Sequence, residues 1–407
     1  MRATSVVEML LCIQGLRVVD VTMHRDRREI MIDVATRKQR HFCPKCPFAT
    51  RARYDRQAAP RRWRHINLGV FRVWLQMPLS RLACPTHGVI TEAVPWSEHD
   101  SYFTREFEEM VTWMARQMPK TAIERLAQIA WRTVGTIVRR TVDRKLDGRR
   151  FEELVEIGID EVSYRKGHQY LSVIADHRSG DVVWAGEGKS EDAVNVFFDR
   201  LGEERCARVQ AVSIDMSQSF INAVTAKCPN ATIAFDPFHV VKLANKAVDE
   251  VRREEVRQRK GTPEAKAIKG TRWTLLKAPE SRSDEDELRL SEVARVNRRL
   301  YRAYLFKEEL RTLYRCTLHS APRHLDACLA WASRSRIPAL VKLGRTLRDH
   351  YGGILAAIRL GLSNGRMEGI NNKIGVLKHR AYGFHSAAAL IALVYLCCAR
   401  VPVNLPW

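Results

Sequence analysis

The chain has 407 residues, 45% hydrophobic and 28% charged, enough for two or three domains whose cores need no staples. Lys and Arg number 68 against 46 Asp and Glu, and a surplus of 22 positive charges is the electrostatic footprint of a polyanionic partner, with nucleic acid foremost. The longest apolar stretch, 387–399, is shorter than the roughly 20 residues that span hydrocarbon, and Glu8 interrupts the apolar N-terminal run, so neither a membrane span nor a secretory signal is expected.

A cytoplasmic location follows, in which the 10 cysteines stay mostly reduced and close pairs read as metal ligands. Residues 1–98 alternate apolar and polar positions, as at 16–21 and 70–75, which predicts a β-rich module. It carries Cys43 and Cys46 as a CxxC pair and Cys84 and His87 as a CxxH pair. Two-residue spacing lets both donors of a knuckle reach one tetrahedral Zn2+, so these four residues are the candidate ligands of a structural zinc. His41 and His65 read as structural or phosphate-contacting residues.

From 99 to 148 the period becomes helical, with Phe107, Val111 and Met114 on one face, then Ile123, Leu126 and Ile129, then Val134, Ile137, Val138 and Val142. A helix over 121–129, a tight turn at 130–132 and a second helix N-capped by Thr133 would make a helix-turn-helix. Arg132, Arg139, Arg140, Arg144 and Lys145 would give the second helix a basic exposed surface for a DNA groove. An ordinary helical pair with solvated charges is the alternative.

Residues 149–240 read as strands at 155–160, 170–176, 182–186, 209–215 and 232–236, with helices at 190–201 and near Phe220. The segment 241–361 is nearly all helical, with Pro322 and Pro338 suited to helix starts. Asp160 and Asp215 each end an apolar strand-like run, and Glu368 lies on a helix after the block, with Asn372 one turn on. Three hard carboxylates on three elements suit two Mg2+ ions about 4 Å apart, which activate an oxygen nucleophile and stabilise the leaving oxygen of a phosphodiester. Glu161 should face away from Asp160. Lys373, Lys378 and Arg380 follow Glu368 and could hold DNA phosphates. Trp273 reads as a helical-core residue more readily than as a base-stacking one.

The chain resembles the ISL3 family of bacterial insertion-sequence transposases. The likeness is carried by the CPKC and CPTH pairs, GIDE at 158–161, SIDMS at 213–217, DPFHVVKLANKAVDEVRR at 236–253 and, most specifically, SNGRMEGINNKIGVLKHRAYGF at 363–384. Minor departures are Pro47-Phe48 after the first pair and His87 where many relatives have Cys. The resemblance implies a zinc module (1–98), a helix-turn-helix domain (99–148) and an α/β RNase H-like catalytic core (149–240 and 362–407) split by an all-α insertion (241–361). Asp160, Asp215 and Glu368 would be its DDE triad, with Mg2+ or Mn2+ as catalytic cofactor. His239, in a DxxH motif shared by related transposases, would donate to a phosphate. The implied partners are double-stranded DNA, as terminal inverted repeats and as target, and further copies of the chain, at least a dimer in the synaptic complex. The implied setting is the bacterial cytoplasm, at the nucleoid. An RNase H-like nuclease that cuts without joining, and a DNA-binding regulator with an inactive core, are the competing expectations.

Overall fold

The structure, a computed structural model, describes residues 3–37, 39–165, 167, 169–362, 365–381, 383–384 and 386–405. Ser363, Asn364 and Tyr382 of the family-like C-terminal block lie outside the described residues. The chain divides into two compact units, one reaching to Leu146 and including the segment from Val401, the other Asp147–Arg400. The segment from Val401 therefore groups with the first unit rather than with the second.

The first unit opens with α1 (Ala3–Leu11), β1 (Leu16–His24), β2 (Glu29–Thr36), β3 (His41–Phe42), β4 (Ala49–Thr50) and β5 (Asp55–Arg56). Then come β6 (Arg61–Leu68), β7 (Phe71–Met77), β8 (Ser80–Cys84) and β9 (Gly88–Thr91). The main sheet has the order β1-β2-β7-β6, and β5-β8-β9 and β3-β4 form two small ones. Alternation in β7 buries Val73, Leu75 and Met77, which pack with Trp63 and Trp96. Those two indoles meet edge to face at 5.5 Å.

Three helices complete this unit: α2 (Arg105–Gln117), α3 (Lys120–Ala127) and α4 (Trp131–Lys145). Phe107, Val111 and Met114 of α2 are buried, as their spacing predicted. Thr104 caps α2, its hydroxyl accepting from the Phe107 amide at 3.3 Å. The cap expected at Thr133 is not made, because α4 begins two residues earlier and Thr133 sits in its first turn. The Glu124 carboxylate accepts from the Trp131 amide at 3.2 Å and takes over one orphan donor of that turn. Leu126, expected inside, is 60% exposed, since α3 buries Ile123 and Ala127 instead.

The second unit is built on β10 (Glu156–Arg165), β11 (Gln169–Asp176), β12 (Val182–Glu187), β13 (Ala211–Ile214) and β14 (Thr232–Phe235), in the order β12-β11-β10-β13-β14. β10, β11 and β12 are antiparallel neighbours, whereas β13 and β14 run parallel to β10. All four residues of β13 are buried, as a central strand covered on both faces requires. Helices α5 (Glu191–Leu201), α6 (Glu203–Cys206) and α7 (Gln218–Lys227) lie between strands in the chain, α5 being capped by Ser190.

After β14 the chain runs through α8 (Pro237–Gln258), α9 (Pro263–Lys269), α10 (Arg272–Leu276), α11 (Asp284–Val296), α12 (Arg298–Thr312), α13 (Ala321–Arg334), α14 (Pro338–Asp349) and α15 (Tyr351–Leu360). Pro322 and Pro338 stand in the first turns of α13 and α14, where a missing amide costs nothing. Helices α16 (Gly365–Arg380) and α17 (Ala387–Cys398) return to the sheet. The Tyr395 hydroxyl of α17 accepts from the Ala185 amide of β12 at 3.0 Å. Among the described residues no helix is long and apolar enough to cross a membrane.

Candidate active site

Parallel pairing aligns the acids. Gly158 of β10 is opposite Ser213 of β13, and Asp160 and Asp215 each lie two residues further on. Ile214 pairs with Phe235 of β14, so Asp236 stands at the level of Asp215. Three strands thereby deliver one acid each to a common row. Asp160, expected at a strand end, is in mid-strand: β10 continues to Arg165 because β11 still pairs with it beyond the point where β13 stops.

Local hydrogen bonds fix each carboxylate. Asp160 Oδ1 accepts from the Glu161 amide at 2.7 Å, and Asp215 Oδ1 from the Ser217 amide at 2.9 Å. Asp236, only 6% exposed, caps α8 by accepting from the Phe238 amide at 3.1 Å. His239, in the first turn of α8, has its Nε2 3.7 Å from Asp236 Oδ2. Burial raises the Asp160 carboxyl above its ordinary range, and the charge of Asp215 adds to this while His239 and Asn371 oppose it. Burial also raises Asp236, with Asp160 and Glu368 adding their repulsion. Asp160, Asp215, Asp236, Glu368 and His239 therefore share one electrostatic neighbourhood.

Glu368 arrives on α16, whose apolar stripe of Met367, Ile370, Ile374 and Leu377 is buried. The helix packs close to β10 because residue 158 has no side chain: a Cβ there would lie 2.8 Å from Met367 Cγ and 3.0 Å from His177 Nε2. Arg366 ties the first turn down by donating to the carbonyls of His177 and Arg178. His177 in turn has its Nε2 2.6 Å from Ser213 Oγ.

The amide that reaches the acids is Asn371, not Asn372. Its Nδ2 donates to Asp160 Oδ2 at 2.6 Å, while Asn372 is exposed. Residues three and four positions apart share a helix face, so either spacing allowed the contact. Asn371 Oδ1 is buried with no hydrogen-bond partner among the described residues. Glu161, expected to face away, is half-buried, 4.0 Å from Lys189, and is raised by burial and by the charges of Asp215 and Asp160. Of the cations expected nearby, Lys373 is exposed, Lys378 donates to the Ser163 carbonyl, and Arg380 is half-buried. Trp273 is 66% exposed with the Arg272 guanidinium 5.0 Å from its ring centre, which corrects its reading as a core residue.

In the first unit, Cys43, Cys46, Cys84 and His87 offer ligand atoms that all lie within 4.8 Å of one another. Among the described residues this is the one such group of three or more, so the acids of the second unit form a looser set. Cys46 Sγ is 3.6 Å from Cys84 Sγ, and His87 Nδ1 is 3.7 Å from Cys43 Sγ and 3.5 Å from Cys84 Sγ. A tetrahedral zinc with Zn–S of about 2.3 Å has donor–donor edges of about 3.8 Å, so the four atoms fit such an ion. Burial opposes ionisation of Cys84, yet the His87 contact and neighbouring amides bring its thiol down to about 6. His41 contacts Glu92 at 2.6 Å and His65 contacts Thr104 at 2.8 Å, both within the fold.

On α4 the expected basic face is divided. Arg132 and Arg139 are exposed. Arg140 and Arg144 turn toward α2, where both pair with Glu108, whose side chain is only 1% exposed, and Lys145 pairs with Glu109 at 2.7 Å. Those inward cations are corrections to the expected exposed surface.

Comparison with known proteins agrees with this arrangement. A family profile described as transposase matches residues 157–394. The helix-turn-helix domain of transposase family ISL3 matches 92–142, and the zinc-finger of transposase IS204/IS1001/IS1096/IS1165 matches 39–87. The chain is 39% identical over 378 residues to the transposase for insertion sequence element IS1557 of Mycobacterium tuberculosis (strain CDC 1551 / Oshkosh), covering 87% of this chain and 85% of that protein. It is 30% identical over 352 residues to the transposase for insertion sequence element IS1001 of Bordetella parapertussis, covering 84% of this chain and 85% of that protein. With a catalytic-type sheet, a DNA-binding helical segment and a zinc ribbon all matched in order, the chain belongs to the ISL3 family of transposases.

Proposed function

We propose that this chain binds the terminal inverted repeats of its own insertion sequence and performs metal-dependent strand cleavage and strand transfer from an RNase H-like core. The observation that carries the reading is the row of Asp160 and Asp215 on adjacent parallel strands, with the Glu368 helix seated against the first of them. A sheet of three antiparallel strands extended by two parallel ones, with helices α8–α15 inserted before α16, supports the assignment of residues 149–240 and 362–407 to that core. Residues 1–98 would be the zinc module and 99–148 the helix-turn-helix domain.

The acidic site fits a hard divalent ion. Its donors are oxygens, their charges repel one another, and Asn371 Oδ1 is an unpartnered buried acceptor beside Asp160. Asp160, Asp215 and Glu368 would hold Mg2+ or Mn2+, which supplies activation of an oxygen nucleophile and stabilisation of the leaving oxygen. Asn371 orients the Asp160 carboxylate by its hydrogen bond, and His239 stands where it can donate to a phosphate. Arg132 and Arg139 contact the DNA groove or backbone, and Lys373, Lys378 and Arg380 of α16 hold DNA phosphates. The enzyme acts on two transposon ends as at least a dimer, in the bacterial cytoplasm at the nucleoid.

The test is Asp215→Asn, which keeps size and removes the charge that holds a cation. Terminal-repeat binding stays near wild type, and Mg2+-dependent cutting is abolished. Cutting at the wild-type rate would show the acids to be misassigned. Wild-type protein that cuts repeat ends but never joins them to target DNA would instead be a nuclease.

A further inference from the structure

Resting on the DNA-processing reading above, we propose that an open cationic trough along α8 holds the phosphate backbone of the DNA strand that continues past the cleavage point. One end of the trough is the acidic site itself: Asp215, Ser217 and His239 line a groove of about 990 Å³ together with Lys242, Lys246 and Arg253. The groove runs on, sharing Arg252 and Arg253, into a second of about 560 Å³ bordered by Arg257, Lys260, Lys266 and Lys269.

The cations recur on one face of α8. Lys242, Lys246, Arg253 and Arg257 are separated by four, seven and four residues, the spacing that stacks side chains along one side of a helix. The 15 residue steps from Lys242 to Arg257 rise about 22 Å, the length of about six phosphates of one DNA strand at 3.4 Å each.

These charges have little else to do in the fold. Among the described residues Lys246, Arg257, Lys260, Lys266 and Lys269 make no ion pair. Besides Asp215 at the mouth, Asp249 is the one acid among the described lining residues. It is engaged by Arg252 at 2.8 Å, Arg253 at 3.2 Å and Arg272 at 3.8 Å. Gathering so many unpaired cations along one groove is unfavourable for the isolated protein and favourable once a polyanion releases its counterions there. Continuity with the acids selects DNA over an acidic peptide, because a strand cut at Asp215 must leave the site along some surface. Phe238, beside His239 in the chain and 60% exposed with Lys242 at 6.0 Å from its ring centre, offers a face to an unpaired base.

The experiment uses the full chain carrying Lys246→Ala, Arg257→Ala and Lys260→Ala, all at exposed positions whose loss leaves the melting temperature unchanged. Binding is followed against salt on a terminal repeat that stops at the cleavage point and on one extended by flanking DNA, the flank either paired or single-stranded. For extended probes the slope of log K on log salt falls by about 2 to 3, from about 0.7 to 0.9 per phosphate contact, and affinity at physiological salt drops at least tenfold. The unextended probe binds as before. Loss on both flanks assigns the trough to the backbone of either form, and loss on the unpaired flank alone assigns it to a separated strand. An unchanged slope with extended probes, or an equal loss with and without a flank, overturns the proposal. Asp215→Asn in parallel keeps the two readings apart, since it tests cutting while leaving every cation of the trough in place.

Discussion

Asp160 and Asp215 stand at one level on adjacent parallel strands, each two residues past the Gly158–Ser213 pair, and Asp236 repeats that level on the next strand. Sheet register, pinned by the wholly buried β13 between β10 and β14, thus sets the spacing of the acids. The fourth acid, Glu368, depends on a different contact, the close seating of α16 over Gly158.

That seating predicts the effect of one methyl group. In Gly158→Ala the new Cβ would lie 2.8 Å from Met367 Cγ, so α16 or the buried Met367 must shift. A displacement near 1 Å is worth about 100-fold in a positioned reaction, so cutting falls by about that factor while terminal-repeat binding is kept. Adding Met367→Ala vacates the space and recovers part of the rate. Single-turnover cleavage of all three proteins decides the matter, and a Gly158→Ala enzyme as fast as wild type would show that the close approach is dispensable.

How much of this was legible in the sequence depended on the range of the interaction. Asp160 and Asp215 announced themselves locally, as acids closing apolar runs, and the CxxC and CxxH pairs carried their own spacing rule. Asp236 closes a strand in the same manner, yet only its neighbour His239 was singled out as a site residue. Asn371 could not be told from Asn372, because helix periodicity permits both and only the tilt of α16 chooses. Arg140 and Arg144 looked like groove contacts because Glu108, more than 30 residues earlier, is brought to them by the packing of α2 on α4. Trp273 looked like core because tryptophan usually is, whereas α10 turns it outward.

The divided face of α4 predicts opposite outcomes for neighbouring arginines. Arg139→Ala removes an exposed cation, so stability stays within about 0.5 kcal/mol and the salt slope of repeat binding falls by about 0.9. Arg140→Ala leaves Glu108 buried with less compensation, a change of about 3–5 kcal/mol for a lone pair. The lower end applies here, because Ser101 Oγ at 2.6 Å and Arg144 at 3.4 Å remain on that carboxylate. Chemical denaturation and salt-dependent gel shifts on both variants separate the roles. A stable Arg140→Ala protein with a reduced salt slope would restore Arg140 to the DNA surface.

Zinc removal should act on one unit only. The ligands Cys43, Cys46, Cys84 and His87 sit over a small cluster containing Leu82, Phe48 and Ile90, too few groups to order the ribbon without the ion. A chelator, or Cys46→Ser, abolishes repeat binding and lowers the first melting transition, and added Zn2+ restores the chelated protein. The second unit, with its own extensive core, keeps its transition. Stoichiometric metal analysis completes the test, and a zinc-free protein with wild-type binding and melting would refute the site.

His65 makes the first unit sensitive to acid. Burial, with the neighbouring Arg64 charge adding to it, lowers its imidazole to about 4 from an ordinary 6.5. A depressed histidine is neutral in the folded state while the unfolded chain takes up a proton below about 6.5, so the unfolded state gains protons as pH falls. Stability therefore declines between about pH 6.5 and 4, by an amount on the order of 3 kcal/mol, and stops declining on this account once the folded imidazole also protonates. His65→Asn removes the titration and can keep a polar contact to Thr104, which lies 2.8 Å from Nδ1. Loss of zinc at low pH affects both proteins alike, so the informative quantity is the difference between their stability curves. Tryptophan fluorescence, reporting the packed Trp63–Trp96 pair, follows the unfolding of this unit at each pH. The two curves converge as pH falls from 6.5 to 4 if His65 is the sensor, and parallel curves across that window would remove it from the acid response.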